Sequence, residues 1–455
     1  MKQVRIIQML MAVVIVLALG SCSSDDLSEV ENQNGKKTVK MEFVGKVVCF
    51  DQQGSSKAKV QTRATSSSWK DGDKIYITFY NGSTLVPGEA TYNSASGWSV
   101  SYDGNLATGI NLKCEARYFV NATFYSSSLV SLNANSEVYE DLNATYAYSN
   151  GSLTVTATLF PKTGRIRFTG KSGEEIYTTG ISFYTTFAPA INTFSTSDAM
   201  ITSTVASNGS TPYIYGYFTD NDRSLGLVGS DYAFTRTCTN SMFNVGESGY
   251  MAIPSESSHN NWRSGLYVKA SGVEFKMIPV AGYSGGLFLM AETETTEALY
   301  NSVNGTASTS QLPVDKISYS SVYSFISELN NETKLNFSLP SAEQWQYAAK
   351  GGNKSQGYTY AGSNIPGDVA WYSANCSSKQ KVKTKAPNEL GIYDMSGNVA
   401  EYTTTSYSSS YGDVRYKTYG GCFCDYSTDD ISSTSYTGNS SSSIGIGFRL
   451  ILTCK

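Results

Sequence analysis

The chain has 455 residues and a formal net charge of −4, and 16% of its residues are charged. This length allows two to four domains at roughly 100–200 residues each, and the slightly acidic balance provides no basic field to hold nucleic acid. Aromatic residues make up 13% of the chain, which favours packed cores over disorder. The single histidine, His259, excludes metal sites built from several histidines and allows a Ser-His-Asp triad only with His259 as its base.

The first residues have the pattern of an export signal. A charged start precedes an apolar run over residues 6–19, which is too short to cross a bilayer core of about 30 Å. The run ends in Leu-Gly-Ser-Cys at residues 19–22, which resembles a bacterial lipoprotein signal cleaved before the lipid-accepting cysteine. We expect a signal peptide over 1–21, lipidation of Cys22 and a flexible tether over 22–38. An ordinary secretory signal is the alternative.

The residues that follow Cys22 indicate where the anchored protein resides. Ser and Asp residues at 23–26 resemble the start of surface lipoproteins of the Bacteroidetes. This resemblance implies a lipid anchor in the outer membrane with the protein on the outer face of the cell. A periplasm-facing anchor is the alternative.

Seven further cysteines are spread over the chain, an odd number that cannot pair completely within it. Their spacing fits neither a disulfide-dense scaffold nor a zinc site built from paired CxxC motifs. We expect most of them to be small buried apolar residues.

Residues 39–271 consist of short alternating runs between turn residues, as in 74–79 and 153–159. Period-two alternation with Gly, Asn, Asp and Ser punctuation predicts antiparallel β-sandwiches. Because this half is long for one sandwich, we divide it into 39–150 and 151–271.

This half resembles the fimbrillin-like family of Bacteroidetes surface proteins. The similarity is carried by Thr-Arg-Ala at 62–64, Trp69, Gly-Asp-Lys-Ile at 72–75 and the run at 160–168 that would begin the second sandwich. The resemblance implies a lipoprotein that builds, anchors or tips fimbriae, with other fimbrial subunits as partners. In some members cleavage after an early arginine opens a groove for a donated strand, and Arg63 is suitably placed. An exposed loop charge is the alternative for Arg63.

From residue 272 to 455 the pattern changes to helices and irregular segments. Ser341 is a good N-cap for a helix with Ala342, Trp345, Ala348 and Ala349 on one face, and glycines at 351–352 end it. The motifs at 339–352, 371–372, 387–401, 420–421 and 447–450 resemble, in order, those of the formylglycine-generating, or sulfatase-modifying factor, family. The resemblance implies an irregular α+β fold shared with C-type-lectin-like domains.

The family's oxidases hold Cu(I) with two cysteines, which suit the metal because both are soft. Asp425 occupies the place of the first catalytic cysteine, and no cysteine stands at the second. Cys422 and Cys424 are two residues apart and would point the same way in a strand. A copper site on this pair, two packed thiols and a reactive exposed pair all stay open for it. We expect no copper and no catalytic residues.

Calcium is the cofactor that the resemblance does imply. Family members bind it in the loop matching residues 394–401, where Asp394 and Glu401 would supply carboxylates and Gly397 and Val399 backbone carbonyls. A tight turn pinned by Asp394 alone is the alternative.

Residues 402–443 combine many tyrosines with Ser, Thr, Asp and Gly, a composition typical of adaptable binding surfaces. Lectin-like relatives include proteins whose C-terminal segment is diversified at Asn codons, and residues 422–436 resemble such a product. A serine-rich surface loop without specificity is the alternative. The predicted ligand-binding residues are Tyr402, Tyr407, Tyr411, Tyr416, Tyr419, Phe423, Asp425, Tyr426 and Tyr436.

We therefore expect a lipid-anchored, fimbria-associated surface adhesin whose C-terminal domain binds a protein or glycan ligand without catalysis. The first alternative is a copper-dependent oxidase that makes formylglycine on sulfatases. The second is a non-catalytic scaffold lipoprotein of the cell envelope.

Overall fold

The computed structural model describes residues 30–31, 36–48, 50, 62–63, 69–125, 129–218, 224–238, 245–246, 248–253, 262–408, 410, 412–433, 436–439 and 443–454. The predicted signal peptide and Cys22 lie outside these residues. Within the predicted tether, Val30–Glu31 pairs antiparallel with residues 37–38, so this part of the tether is a strand and not a flexible segment. The described residues contain no helix that is both long and apolar enough to cross a membrane.

The N-terminal half begins with a ten-stranded sheet that closes on itself. Its hydrogen-bonded order is Val30–Glu31, Lys37–Val48, Gly97–Tyr102, Thr84–Asn93, Lys74–Asn81, Gly109–Val120, Glu137–Asp141, Ser152–Pro161 and Thr145–Ser149, with Thr62–Arg63 beside Lys37–Val48. Ser152–Pro161 also pairs in parallel with Lys37–Val48, which closes the ladder. Leu153, Val155, Ala157 and Leu159 alternate into the core, as a period of two requires.

The first sheet extends past the division that the sequence suggested at residue 150. Ser152–Pro161 belongs to it, because this strand completes the closure. Conversely, Thr123–Tyr125 and Leu129–Ser131 pair outside the first sheet, with the strands Phe183–Ala188 and Thr193–Ser197. The two parts of the N-terminal half therefore exchange strands across that position.

The second part of this half contains three smaller sheets, two of them around a separate core and one packed through Phe187 against Tyr76 and Phe119 of the first sheet. One joins Ile214–Gly216, Gly164–Thr169 and Ser248–Ala252; another joins Ile201–Thr204, Glu175–Thr179, Ser224–Val228, Ala233–Thr237 and Arg263–Ser264. The third is the four-stranded sheet of Thr193–Ser197, Phe183–Ala188, Leu129–Ser131 and Thr123–Tyr125. The 3-10 turn Pro189–Ile191 connects its strands Phe183–Ala188 and Thr193–Ser197.

The C-terminal region mixes short helices with two sheets. The helices are α1 (Glu297–Val303), α2 (Tyr319–Thr333), α3 (Ala342–Ala349) and α4 (Pro366–Val369), with a 3-10 turn at Gly352–Lys354. The sheets are Leu266–Ala270, Val273–Val280, Phe288–Ala291, Ile451–Thr453 and Phe337–Ser338, and Tyr436–Asn439, Val414–Tyr419, Ala400–Ser408 and Ile446–Phe448. The predicted fold class, a mainly β half followed by an irregular α+β domain, is confirmed.

Two parallel strands position the candidate site. Ala400–Ser408 pairs with Ile446–Phe448, with Glu401 opposite Gly447 and Tyr402 opposite Phe448. The tyrosine-rich segment leaves the core from the first of these strands and returns to it in the second. Its two ends are therefore neighbours in one sheet.

Candidate functional site

Helix α3 forms the floor of the site. The Ser341 side chain accepts a hydrogen bond from the Gln344 N–H, and the Ser341 N–H donates to the Gln344 side-chain oxygen, which completes a capping box. Trp345 is fully buried on the inner face of α3, as the helical spacing predicted. Its indole ring stacks on Tyr419 with the centroids 5.2 Å apart.

A buried ion pair lies next to this tryptophan. Arg449 and Glu401 have no exposed side-chain surface, and the Arg449 Nη2 to Glu401 Oε1 distance is 2.7 Å. The Trp345 indole N–H donates to Glu401 Oε2 at 2.6 Å. Arg449 also donates to the carbonyl oxygens of Ala291 and Tyr393, at 2.9 and 2.8 Å. The guanidinium thus ties three separate segments of the domain to one carboxylate.

Two further carboxylates are buried close to this pair. Glu294 accepts from the Asn398 side-chain amide at 2.8 Å and from the Val399 N–H at 2.9 Å. Burial, together with the charges of Asp394 and Glu401, raises the pKa of Glu294 well above its usual range. Asp394 accepts from the Lys383 N–H at 2.7 Å, and its other oxygen, Oδ1, is buried without a partner among the described residues. Burial raises the pKa of Asp394 to about 6.

The predicted calcium ligands do not fit calcium in this arrangement. Both oxygens of Glu401 accept hydrogen bonds from Arg449, at distances between 2.7 and 3.1 Å. An ion at this carboxylate would have to displace a fully buried guanidinium, which is itself a cation. Asp394 has an unpartnered oxygen, but Gly397 and Val399 would then have to complete a shell without Glu401, short of the six to eight oxygens that Ca²⁺ takes.

The structure also corrects part of the predicted ligand-binding surface. Tyr402 and Tyr419 are 0% and 2% exposed and belong to the core, because the first residues of Ala400–Ser408 are buried on both faces of the strand. Tyr416 is half-buried and stacks on Tyr319 with the centroids 3.3 Å apart. Tyr407 is half-buried. These four rings belong to the hairpin of Ala400–Ser408 and Val414–Tyr419. They do not form one exposed face.

The remaining predicted residues lie in or beyond the loop that follows Gly420 and Gly421. Tyr426 is 92% exposed, and Phe423 and Asp425 are partly buried. Tyr411 lies outside the described residues, and Tyr436 is described only as part of a strand backbone. Among the predicted aromatic side chains that the structure describes, Tyr426 is thus the fully exposed one.

The cysteines of this loop are joined. Cys422 and Cys424 form a disulfide across one intervening residue, which none of the interpretations left open for this pair included. Of the described free cysteines, Cys114, Cys238 and Cys454 are buried, as expected. Cys376 is half-buried.

A shallow cavity beside the loop was missed by the sequence analysis. It has a volume of about 600 Å³ and is lined by Lys350, Ser355, Gly357, Tyr358, Thr359, Asp429, Ser432 and Ser433. The Ser433 N–H donates to the Thr359 carbonyl oxygen at 3.2 Å, which joins the loop to the opposite wall. Tyr358, in one wall of this cavity, is 38% exposed.

The candidate site lies in a region of the chain that matches a known protein family. The model of the sulfatase-modifying factor enzyme 1-like domain matches residues 247–454. The C-terminal region is a sulfatase-modifying factor domain. The matched range includes α3, the buried ion pair and the whole exposed loop. The prediction made from the motifs is confirmed.

Two curated relatives share part of this domain. The chaperone protein LppX of Paenibacillus barcinonensis is 43% identical over 90 residues, which are 16% of this chain and 32% of the relative. The inactive C-alpha-formylglycine-generating enzyme 2 of Bos taurus is 28% identical over 88 residues, which are 17% of this chain and 29% of the relative. The chain thus spans about a third of the length of the curated relatives that it matches.

Solved structures are similar to both halves. The Treponema denticola variable protein 1 is 22% identical with a TM-score of 0.36, over 41% of this chain and 98% of that chain. A fimbrial protein from Bacteroides ovatus is 10% identical with a TM-score of 0.22, over 91% of this chain and 99% of that chain.

The buried ion pair yields a stability prediction. Replacing Glu401 with Gln removes the carboxylate that is hydrogen-bonded to the buried Arg449 guanidinium, and we expect the free energy of unfolding of the C-terminal domain to fall by roughly 3–5 kcal/mol. Urea unfolding followed by peptide-resolved hydrogen exchange measures this. Glu328→Gln on the exposed face of α2 is the matched control and should change stability little. An unchanged stability in Glu401→Gln would mean that the pair does not hold the domain together.

Asp394 yields a pH prediction. Its pKa is raised from 3.8 to about 6 on folding, so the folded state holds the proton more tightly, and this group lowers stability as pH rises from about 4 to 6. The full penalty above pH 6 is on the order of 3 kcal/mol. Asp394→Asn keeps an acceptor for the Lys383 N–H, and Asn tolerates the positive φ of 57° at this position.

We therefore expect Asp394→Asn to be more stable than the parent at pH 7 and equal to it near pH 4. The measurement is the difference in unfolding free energy between the two proteins across that range. Asp413→Asn, at an exposed position, is the control. A difference that does not vary with pH would contradict the assignment.

Proposed function

We propose that this chain is a lipid-anchored, fimbria-associated surface adhesin whose sulfatase-modifying factor domain binds a ligand without catalysis. The observation that carries the proposal is an exposed aromatic side chain, Tyr426, on a loop whose base is fixed to the domain core. The lipid anchor at Cys22 and the outer-membrane location belong to the proposal and rest on the signal-like N-terminus.

The loop is fixed at its base by backbone hydrogen bonds. The Gly397 N–H donates to the Gly420 carbonyl oxygen at 2.7 Å, and the Phe423 N–H donates to the Asn398 carbonyl oxygen at 2.8 Å. The Ser433 contact to Thr359 holds its far end. A loop that is ordered before binding loses less conformational entropy when the ligand arrives. Tyr426 can therefore contribute contact area at low entropic cost, because a tyrosine has only two side-chain torsions.

The cysteine chemistry also supports binding over catalysis. Copper binding needs thiolates, yet burial raises the pKa of Cys114 and of Cys454 to about 12. Burial also raises the pKa of Cys238 and Cys376. Asp425, in the place of the first catalytic cysteine, accepts a hydrogen bond from the Cys422 N–H at 2.6 Å.

Two of the relatives have names that agree with this proposal. The bovine relative is called an inactive enzyme, and the Treponema denticola protein is called variable. We extend the proposal to the segment 422–436 as a diversified surface, because Tyr, Ser, Asp, Cys and Phe are all reachable from Asn codons by changes at adenines. The ligand is a protein or a glycan.

The binding proposal predicts a specific loss. The full chain should bind at least one component of a glycan array or of a panel of immobilised extracellular-matrix proteins. Tyr426→Ala should weaken that binding about tenfold or more, as expected for a central aromatic anchor. Tyr125→Ala is the matched control, since Tyr125 is 60% exposed on the N-terminal half. Equal affinities of both variants and the parent would refute the role of Tyr426.

The oxidase alternative has its own test. We expect the full chain, supplied with Cu(I) and oxygen, to produce no formylglycine on a cysteine-containing sulfatase peptide. The reason is that no described free cysteine is both exposed and placed next to a second free thiol. Mass spectrometry of the peptide measures the conversion, with a catalytically active family member as the positive control. Turnover by this chain, abolished in Cys422→Ser, would establish the enzyme and overturn the proposal.

A further inference from the structure

The Cys422–Cys424 disulfide connects no two elements of the fold. Its cysteines are separated by two positions in sequence, so the loop that it closes is minimal. The chain-entropy contribution of a disulfide grows with the length of its loop, and here that contribution is close to its lower limit. Stability of the folded domain therefore does not explain this bond.

The two cysteines differ in exposure. Cys424 is exposed, whereas Cys422 is 6% exposed. Gly445 packs against both sulfurs: a Cβ at this residue would lie 2.9 Å from the Cys422 sulfur and 3.1 Å from the Cys424 sulfur. Of the two residues, an incoming thiolate would therefore reach Cys424, and Cys422 would become the leaving sulfur.

The backbone around the pair is held by contacts that do not need the disulfide. The Asp425 N–H donates to the Cys422 carbonyl oxygen at 3.0 Å, and the Cys422 N–H donates to Asp425 Oδ2. The Ser373 N–H donates to the Asp425 carbonyl oxygen at 3.2 Å. After reduction the two thiols should thus stay adjacent, which makes the opening reversible.

A donor and an acid lie next to the leaving sulfur. The Cys424 N–H donates to the Cys422 sulfur at 3.3 Å. The sulfur atoms of Cys422 and Cys424 and a carboxylate oxygen of Asp425 all lie within 4.8 Å of one another. Burial raises the pKa of Asp425, and its Oδ2 accepts the hydrogen bond from the Cys422 N–H.

We propose that Cys422 and Cys424 form a thiol–disulfide exchange site that accepts a thiolate from a partner at the exposed Cys424 sulfur. The incoming thiolate forms a bond to Cys424 while the Cys422–Cys424 bond breaks and its electron pair goes to Cys422, which takes up a proton from solvent. A second thiol of the partner then attacks the mixed disulfide. The partner leaves as a disulfide with two electrons fewer, and the protein keeps a dithiol that holds those electrons.

The test uses the full chain and two thiol sources. Oxidised protein is mixed with reduced glutathione or with a reduced peptide containing two cysteines, and the products are alkylated and analysed by peptide mass spectrometry. We expect both thiols to open the Cys422–Cys424 bond in the native protein, and the peptide to be oxidised by up to one equivalent. Cys376 is an internal reference, since it is a half-buried thiol outside the loop.

Two variants identify the attacked sulfur. In Cys422→Ser, glutathione disulfide should modify Cys424 about tenfold faster or more than it modifies Cys422 in Cys424→Ser, because only Cys424 is exposed. Unchanged hydrogen exchange at 393–402 shows that both variants are folded. Equal rates, a bond that opens only in denaturant, or a dithiol that glutathione disulfide does not oxidise would each overturn the proposal. None of these outcomes depends on ligand binding at Tyr426.

Discussion

Among the described residues of the C-terminal domain, Arg449 and Glu401 are the one pair of opposite charges that is removed completely from water. Burying two charges costs several kcal/mol per ion, and their attraction offsets this only when further hydrogen bonds satisfy both groups. Here those bonds come from the Trp345 indole and from the carbonyl oxygens of Ala291 and Tyr393. These hydrogen bonds can form together only when the strand that ends at Ala291, helix α3 and the segment around Tyr393 are all in place. The pair therefore selects one arrangement of the domain.

The same pair fixes the base of the candidate site. Glu401 lies at the start of the strand from which the tyrosine-rich segment departs, and Arg449 follows the strand to which it returns. Because both ends are held, the entropy of closing the excursion varies only slowly with its length. Exposed positions within 403–445, such as Tyr426, can change in sequence without disturbing the core, whereas buried residues such as Tyr419 and Ile431 have to be kept. This physical separation of base and tip is what a binding surface of variable sequence requires.

Local signals in the sequence predicted local structure well. The capped helix at 342–349 follows from Ser341 and from the spacing of apolar residues, which are both contained within one segment. The calcium role of Glu401 is what the family resemblance implies, and nothing near Glu401 in sequence indicates its pairing with a guanidinium 48 residues away. Tyr402 and Tyr419 are wrongly predicted at the surface because composition does not distinguish one tyrosine from another, whereas the sheet determines which ring faces the core. The cavity beside Tyr358 was missed for the same reason, since its walls meet only in the folded chain.

The exposed tyrosine and the disulfide lie within two residues of each other, which links the two proposals physically. A partner held at Tyr426 would present its own surface to the Cys424 sulfur. A cysteine on that surface would then react as if at an effective concentration far above that of free thiol in solution, since binding replaces an encounter between molecules with one inside a complex. Recognition would thereby choose which thiol is oxidised, and a ligand without a cysteine would be held without reaction. Asp425, between the two features, is where these roles meet, because its carboxylate holds the turn and also lies beside both sulfurs.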